Sequence, residues 1–322
     1  MDVGFHPRDE FSLVSAGAKF GSACSIRRQG VCLVGDKKLV HDGVEAAGDG
    51  QERITAYFDS QAQYWKEIYQ RRDAFSVTYQ QRMATVLAWV DGLMLAAGSR
   101  ILEVGCGAGF TTVALTECGF VVEAQDAANA MVELTRQHAE EAGVADRVKA
   151  SAGKVDQLAF PDGTFPLVLA IGVIPWVDAA NLAVHELARV VKPGGYLLFT
   201  VDNRWRLHYL LNPSRTPLLE PVRWAIRNLS AAAGLGARGP LNRQHSIRQT
   251  DSFVRAAGLE KIRSKTLGFG PFRFFHFRPL SDAQGIKLHE TLQGWADRGV
   301  PLIRSMGGQY LVLAQKRQPH QP

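Results

Sequence analysis

Residues 101–110 have the sequence Ile-Leu-Glu-Val-Gly-Cys-Gly-Ala-Gly-Phe, and this stretch decides the fold of the 322-residue chain. An apolar run surrounds one acid, Glu103, and glycines follow at positions 105, 107 and 109. The pattern predicts a buried parallel strand that ends in a tight glycine turn, where missing side chains let a ligand approach the backbone. A nucleotide-like cofactor is the natural ligand of such a turn.

The spacing of the glycines indicates which cofactor. A dinucleotide fingerprint is G-x-G-x-x-G/A, whereas here the third glycine, Gly109, comes one position earlier. After a predicted helix at about residues 111–118, residues 121–125 predict a second strand that ends at Asp126. An acid there can accept hydrogen bonds from both ribose hydroxyls. NAD-binding folds use the same device, so Asp126 alone does not discriminate.

The form G-x-G-x-G preceded by an acid resembles motif I of the class I S-adenosylmethionine-dependent methyltransferases. Residues 160–165 (F-P-D-G-T-F) and 186–195 (E-L-A-R-V-V-K-P-G-G) also resemble that family, before its fourth strand and at the entry to its fifth. The resemblance implies an α/β fold: a Rossmann-like, seven-stranded, mostly parallel sheet with helices on both faces and an antiparallel last strand. It also implies S-adenosyl-L-methionine as cofactor. The alternative is a Rossmann-like core that binds another nucleotide, or none.

The family pattern carries over to particular residues. Tyr64 and Trp65 belong to opening helices that close over the cofactor, where the rings either contact its sulfonium or only pack on the core. The third strand departs from the pattern, because Lys154 stands where the quinone- and sterol-type branch has an adenine-binding Asp. Lysine cannot accept that hydrogen bond, so Asp156 or backbone groups are expected to hold the adenine. The expected cofactor-binding residues are Glu103, Gly105, Cys106, Gly107, Gly109, Asp126, Ala127, Lys154, Val155, Asp156, Ile171, Tyr64 and Trp65.

Composition fits an enzyme with a full α/β core, since 46% of the residues are hydrophobic. The four cysteines are widely spaced without a C-x-x-C pair, and residues 171–176 contain neither an acid nor a histidine, so we predict no metal site. No apolar run approaches the roughly twenty residues that span a bilayer, and no secretory h-region is recognisable. A cytoplasmic location is therefore expected.

Periodicity divides the chain into regions. Residues 1–51 lack a sustained pattern and predict a poorly ordered leader, and a methyltransferase domain is expected over residues 52–322. A helix is predicted near residues 248–257, and the last two strands near 260–267 and 310–315. Residues 202–247 are then an insertion after the fifth strand. Because the carboxyl ends of the strands face the site in this fold, the insertion is predicted to form a helical lid.

The basic charge is concentrated in the second half. Residues 203–278 contain fourteen Lys or Arg and three acids, a net charge of +11, whereas the whole chain carries +6. An acidic small molecule, or an anionic membrane surface that carries a lipid-linked substrate and binds the lid peripherally, would explain this charge. Nucleic acid is the least favoured partner, because no RNA-binding module is recognisable.

Methyl transfer needs mainly alignment and, for a weakly acidic acceptor, a base. His208 and His245 flank the insertion and are the candidate bases, with Tyr209 as a further polar group. The core resembles the ubiquinone/menaquinone-biosynthesis-type branch most closely, so we expect methylation of a small or lipid-linked acceptor at oxygen. The alternatives are methylation of a saccharide or tetrapyrrole carboxylate, and a non-catalytic, cofactor-binding regulatory subunit.

Overall fold

The computed structural model describes residues 50–69, 71, 73–232 and 242–318. Most of the predicted leader lies outside these ranges. The first described helix begins at Gly50, two residues before the predicted start of the domain. None of the helices in the described ranges is both long and apolar enough to cross a membrane.

The described strands form one sheet. They are β1 (Arg100–Val104), β2 (Val121–Asp126), β3 (Val148–Ala152), β4 (Phe165–Ala170), β5 (Val191–Asn203), β6 (Gln244–His245), β7 (Leu259–Leu267) and β8 (Gln309–Lys316). The order across the sheet is β3-β2-β1-β4-β5-β8-β7, and β6 pairs with the end of β5. Strands β1 to β5 pair in parallel, and β8 is antiparallel to both β5 and β7.

The predicted mostly parallel sheet with an antiparallel last strand is confirmed, and the strand count is the one difference. The additional strand, β6, has only two residues, which pair with Asp202 and Asn203 where the insertion returns to the sheet. So short a strand has no hydrophobic alternation of its own, because its place is fixed by tertiary pairing.

Helices cover both faces of the sheet. Two apolar clusters lie on opposite faces of the sheet. Leu102 of β1 and Val168 of β4 belong to one cluster, and their neighbours Ile101 and Leu169 belong to the other. This alternation buries both faces, as expected for parallel strands. The helices in the described ranges are α1 (Gly50–Ser60), α2 (Ala62–Ile68), α3 (Ser76–Asp91), α4 (Phe110–Glu117), α5 (Asn129–Glu141), α6 (Ala180–Val190), α7 (Leu207–Leu210), α8 (Glu220–Ala232), α9 (Ile247–Ala256) and α10 (Asp282–Asp297).

The described part of the insertion after β5 contains helices. It contains α7, a 3-10 turn at Pro217–Leu219 and α8, and it returns to the sheet through β6. Ser246 then starts α9 with a capping box, in which its side chain accepts from the Gln249 N–H and the Gln249 side chain accepts from the Ser246 N–H. The predicted helix before the final strand pair is therefore present, one residue earlier than expected.

Candidate active site

The carboxyl ends of β1, β2 and β4 open into one cavity of about 1400 Å³, which residues of the insertion also border. Pockets for a single small ligand usually enclose roughly 300–1,000 Å³. This cavity therefore has room for a cofactor and an acceptor together. Every residue predicted to bind the cofactor borders it except Gly109.

The three glycines of the turn serve different purposes. All have positive φ, where glycine is strongly favoured. A Cβ at Gly105 would overlap the Val173 side chain, and a Cβ at Gly109 would lie 2.9 Å from Cα of Thr135 in α5. Only Gly107 has nothing within 4 Å, so it leaves room for a ligand at the backbone. The early third glycine thus allows close packing of the turn against α5, and does not itself touch the cavity.

Asp126 is held in place at the tip of β2. One carboxylate oxygen accepts the Gly107 N–H at 2.9 Å, and the other accepts the Ala128 N–H at 3.0 Å. Burial raises the pKa of this carboxyl, and the two backbone N–H groups oppose the rise. The remaining lone pairs can accept ribose hydroxyls at the cavity wall.

Glu103 provides a second buried acid at the same end of the cavity. It is 2% exposed and accepts a hydrogen bond from Thr112 Oγ1. Burial is the main cause that raises its pKa to about 8. A cation bound nearby would favour the ionised form, because opposite charges within a few ångströms lower the pKa of an acid.

Lys154 and Asp156 lie on the loop after β3. Both side chains are exposed and both residues border the cavity, whereas Val155 between them is buried. Of the two side chains, only the Asp156 carboxylate can accept a hydrogen bond from an adenine amino group. This arrangement is compatible with the expectation that Asp156 holds the adenine in place of the residue at position 154.

Aromatic residues of α1 and α2 form one wall. Trp65 packs against Phe58 with ring centroids 5.8 Å apart, and Tyr57 stacks on Trp176 at 6.1 Å. The Trp65 Nε1 is buried without a hydrogen-bond partner in the described structure. Tyr64 and Trp65 therefore do pack on neighbouring rings, and the free indole N–H can still serve a ligand.

Arg82 is a cavity residue that the sequence interpretation missed. It is 5% exposed, and its guanidinium donates to Tyr69 Oη at 3.1 Å and to Gln309 Oε1 at 3.4 Å. Within the described residues it has no ion pair with a carboxylate. A buried guanidinium of this kind can hold a carboxylate bidentately. The signal was available, because Arg82 lies one turn before Val86 on the buried face of α3.

The structure places the candidate bases in different surroundings. His208 borders the cavity and is 9% exposed, and its Nδ1 has no hydrogen-bond partner in the part of the chain that the structure describes. Burial, and then the charges of Arg206 and Arg215, lower its pKa to about 3. Tyr209 borders the same cavity. His245 does not border it, and its ring packs against Phe253 at 5.4 Å. The structure thus brings His208 and Tyr209 together and leaves His245 outside.

Comparison with known proteins identifies the family. Residues 102–199 match the model of a methyltransferase domain. The chain is 34% identical over 188 residues to a ubiquinone biosynthesis O-methyltransferase of Paracidovorax citrulli, covering 58% of this chain and 73% of that protein. The chain belongs to the class I S-adenosylmethionine-dependent methyltransferases.

Other relatives agree with this assignment. The methyltransferase is 29% identical over 189 residues to a ubiquinone biosynthesis O-methyltransferase of Bordetella avium, covering 58% of this chain and 72% of that protein. The magnesium protoporphyrin IX methyltransferase of Synechocystis, solved with bound S-adenosylhomocysteine, superposes with a TM-score of 0.56 at 16% identity, over 83% of this chain and 99% of that one.

The Synechocystis comparison concerns the fold alone, and so does a third comparison. Geranyl diphosphate C-methyltransferase of Streptomyces coelicolor gives a TM-score of 0.54 at 17% identity, over 84% of this chain and 100% of that one. Enzymes that share the fold of this methyltransferase therefore act on chemically different acceptors, so the acceptor must be argued from the site itself.

The residues at the strand ends fit the family's cofactor, S-adenosylmethionine. Gly107 leaves the backbone open, Asp126 offers carboxylate oxygens, and the Trp65 N–H lacks a partner. Within the described residues of the methyltransferase, no group of three or more His, Cys, Asp or Glu is placed to hold a metal ion.

Proposed function

We propose that this enzyme methylates a hydroxyl oxygen of a small or lipid-linked acceptor that carries an anionic group. The observation that supports this most is the place of His208, a buried and neutral imidazole at the insertion side of the cavity. Relatives named ubiquinone biosynthesis O-methyltransferase favour the same chemistry.

S-adenosylmethionine, when bound, supplies an activated methyl group on a positively charged sulfur. The chain's own task is to align the acceptor and receive its proton. His208 Nδ1, which has no hydrogen-bond partner among the described residues, would accept the hydroxyl proton as the methyl group passes from sulfur to the acceptor oxygen. Tyr209, beside it, orients the hydroxyl.

The cofactor end has three proposed polar anchors. Asp126 accepts the ribose hydroxyls, Arg82 holds the methionine carboxylate, and Asp156 accepts from the adenine amino group. Glu103 lies near the cationic part. Each assignment follows from the chemistry of a side chain that borders the cavity.

Peripheral membrane contact is part of the proposal. The segment at α8 exposes several large apolar side chains, with Leu218 70%, Val222 56% and Trp224 61% accessible. Basic residues accompany them in the sequence. Apolar side chains beside basic ones are typical of helices that lie on anionic membranes.

The acceptor chemistry is tested with labelled S-adenosylmethionine and a panel of hydroxylated acceptors. We expect alkali-stable methyl ethers, because an alkali-labile ester would instead indicate carboxylate methylation. His208→Gln should lower kcat by about 10²–10⁴-fold, the usual range for a general base, with unchanged S-adenosylhomocysteine affinity. His185→Gln, an exposed histidine of α6, is the matched control. An unchanged kcat in His208→Gln, or a product methylated only at nitrogen or carbon, contradicts the proposal.

Membrane contact is tested by co-sedimentation with vesicles. The wild type should bind phosphatidylglycerol-containing vesicles and not pure phosphatidylcholine vesicles, with an effect that shrinks as salt rises. Val222→Ser with Trp224→Ser should reduce binding, whereas Ile262→Ser, an exposed apolar residue of β7, should not. Equal loss in both variants, or no wild-type binding, contradicts membrane contact and favours a water-soluble acceptor.

A further inference from the structure

Three arginines border the cavity on the side of the insertion, which we call the acceptor end, and have no acidic partner among the described residues. Arg215, Arg273 and Arg278 all border it, and none forms an ion pair within the described residues. Two other arginines along the same cavity are paired, since Arg206 lies 3.1 Å from an Asp202 oxygen and Arg71 lies 2.9 Å from a Glu67 oxygen. Arg82 is hydrogen-bonded to Tyr69 and Gln309 instead. The three unpaired guanidinium groups thus form a local excess of positive charge.

The backbone holds these arginines together. Arg215 follows α7 in the insertion, and the other two lie on the loop between β7 and α10. Asn212 joins the two segments, because its Oδ1 accepts the Phe275 N–H at 3.2 Å and its Nδ2 donates to the Phe275 carbonyl at 3.3 Å. Phe274 and Phe277 close the loop with two backbone hydrogen bonds of 3.0 Å. The cluster is therefore supported by both segments.

The positive charges of Arg215 and Arg278 act on Arg273. The pKa of the half-buried Arg273 is lowered first by burial and then by the charges of Arg278 and Arg215. Like charges close together favour a bound anion, which offsets their repulsion. Planar guanidinium groups bind oxyanions with two parallel hydrogen bonds each.

We propose that Arg215, Arg273 and Arg278 form an oxyanion subsite that holds a carboxylate or phosphate group of the acceptor. The inference rests on the proposed function, because it places the acceptor between this subsite and His208. Of the fourteen basic residues in the range 203–278, these three would bind the anionic group of the acceptor.

The subsite also connects acceptor binding with the base. Arg215 is one of the charges that depress the pKa of His208. An oxyanion on Arg215 offsets that charge, so the His208 pKa rises and the imidazole becomes a better proton acceptor. An anionic acceptor thereby strengthens the base that it needs.

Anion binding is tested on the full chain saturated with S-adenosylhomocysteine. Inorganic phosphate and sodium benzoate are titrated by calorimetry at low salt, with benzamide as the neutral probe. The wild type should bind both anions and not benzamide, and the stronger of the two shows which oxyanion the subsite prefers. Arg273→Gln with Arg278→Gln should weaken anion binding about tenfold or more, as for charged hydrogen bonds. Unchanged S-adenosylhomocysteine affinity shows that the variant is folded.

The matched control is Arg248→Gln with Arg255→Gln, which removes two exposed charges of α9 outside the cavity. Equal weakening in this variant would mean that anions follow overall charge, and the subsite would be wrong. No anion binding by the wild type would also overturn it.

The His208 proton resonance provides a second readout. Phosphate, which keeps a negative charge near pH 3, should raise the His208 pKa in the wild type and raise it less in Arg215→Gln, where the charge of Arg206 remains. The proposed hydroxyl methylation and the proposed anion subsite can be refuted independently. Anion binding as described without methyl ether formation refutes the hydroxyl chemistry, whereas equal KM for anionic and neutral hydroxyl acceptors refutes the subsite.

Discussion

The two ends of the cavity differ in construction and in charge. At the strand ends, a glycine turn provides fixed backbone, the Asp126 carboxylate provides negative charge, and Glu103 is a buried acid that a bound cation would ionise. At the insertion, side chains on connecting segments provide positive charge around Arg273 and Arg278. A sulfonium cofactor suits the first end, and an anionic acceptor suits the second. Under the proposed function, this difference would direct two ligands of opposite charge to opposite ends of one cavity.

The ends also differ in how they are supported. The glycine turn is fixed by the sheet, because the Gly105 and Cys106 N–H groups donate to the Gln125 carbonyl at 2.6 and 3.1 Å. Across the acceptor end, the Asn212–Phe275 hydrogen bonds join two irregular segments. Acceptor specificity can therefore change by loop substitution while the cofactor end stays constant.

The largest expected effect separates packing from ligand space within the glycine turn. Gly109→Val should destabilise the protein by roughly 2–5 kcal/mol, because the side chain meets Thr135 and the positive φ is unfavourable. Gly107→Val carries a similar backbone cost of about 1–2 kcal/mol, but its Cβ has no atom within 4 Å, so the variant should fold and lose S-adenosylhomocysteine binding. Urea unfolding and calorimetry measure the two effects. Equal losses of stability would contradict this division.

The second effect concerns the ribose. Asp126→Ala should weaken S-adenosylhomocysteine binding by about 1.5–3 kcal/mol, the range for hydrogen bonds to a charged group. Asp59→Ala is a suitable control, because Asp59 also accepts a backbone N–H, from Ala130 at 2.9 Å, but does not border the cavity. An affinity that calorimetry finds unchanged in Asp126→Ala would place the ribose elsewhere.

Sequence patterns predicted the cofactor end better than the acceptor end, for a physical reason. Strands β1 and β2 and the acid at Asp126 are local features, visible as apolar runs followed by turn residues. The function of Gly109 depends on a contact with Thr135 of α5, and Arg82 donates to Gln309, which lies 227 residues away in the chain. Local patterns do not contain such contacts.

The limit of prediction from the sequence is clearer at the acceptor end. The net charge indicated that this half is basic. It could not show that Arg206 is paired with Asp202 while Arg273 has no acidic partner among the described residues. Likewise, His208 and His245 were equivalent as flanking residues until the fold placed one ring in the cavity and the other against Phe253. Tertiary placement, which composition does not contain, decides both.

The third expected effect is a pH dependence of S-adenosylmethionine binding that comes from the buried Glu103. Glu103 has a pKa raised to about 8, so the folded protein holds its proton at neutral pH while the unfolded chain does not. Its contribution to stability therefore falls as pH rises from about 4.5 to 8. A bound sulfonium favours the ionised form, so S-adenosylmethionine binding at pH 7 should release up to about one proton, and affinity should rise by at most about tenfold per pH unit up to pH 8.

Calorimetry in buffers of different ionisation enthalpy measures this proton release. Glu103→Gln keeps an oxygen for the Thr112 hydroxyl and should remove both the release and the pH dependence. S-adenosylhomocysteine, which lacks the sulfonium charge, should release fewer protons than S-adenosylmethionine. Equal release for the two ligands would separate Glu103 from the cationic sulfur.

The smallest expected effect concerns the adenine. Asp156→Ala should weaken S-adenosylhomocysteine binding by about 0.5–1.5 kcal/mol, because a hydrogen bond from the adenine amino group is lost, and Lys154→Ala should change it less. S-inosylhomocysteine, with an oxygen in place of that amino group, sharpens the test. The wild type should prefer the adenosyl ligand, Asp156→Ala should lose the preference, and Lys154→Ala should keep it. If Lys154→Ala instead loses the preference, the loop after β3 holds the adenine through the position that the family pattern uses, and the proposed exchange of roles is wrong.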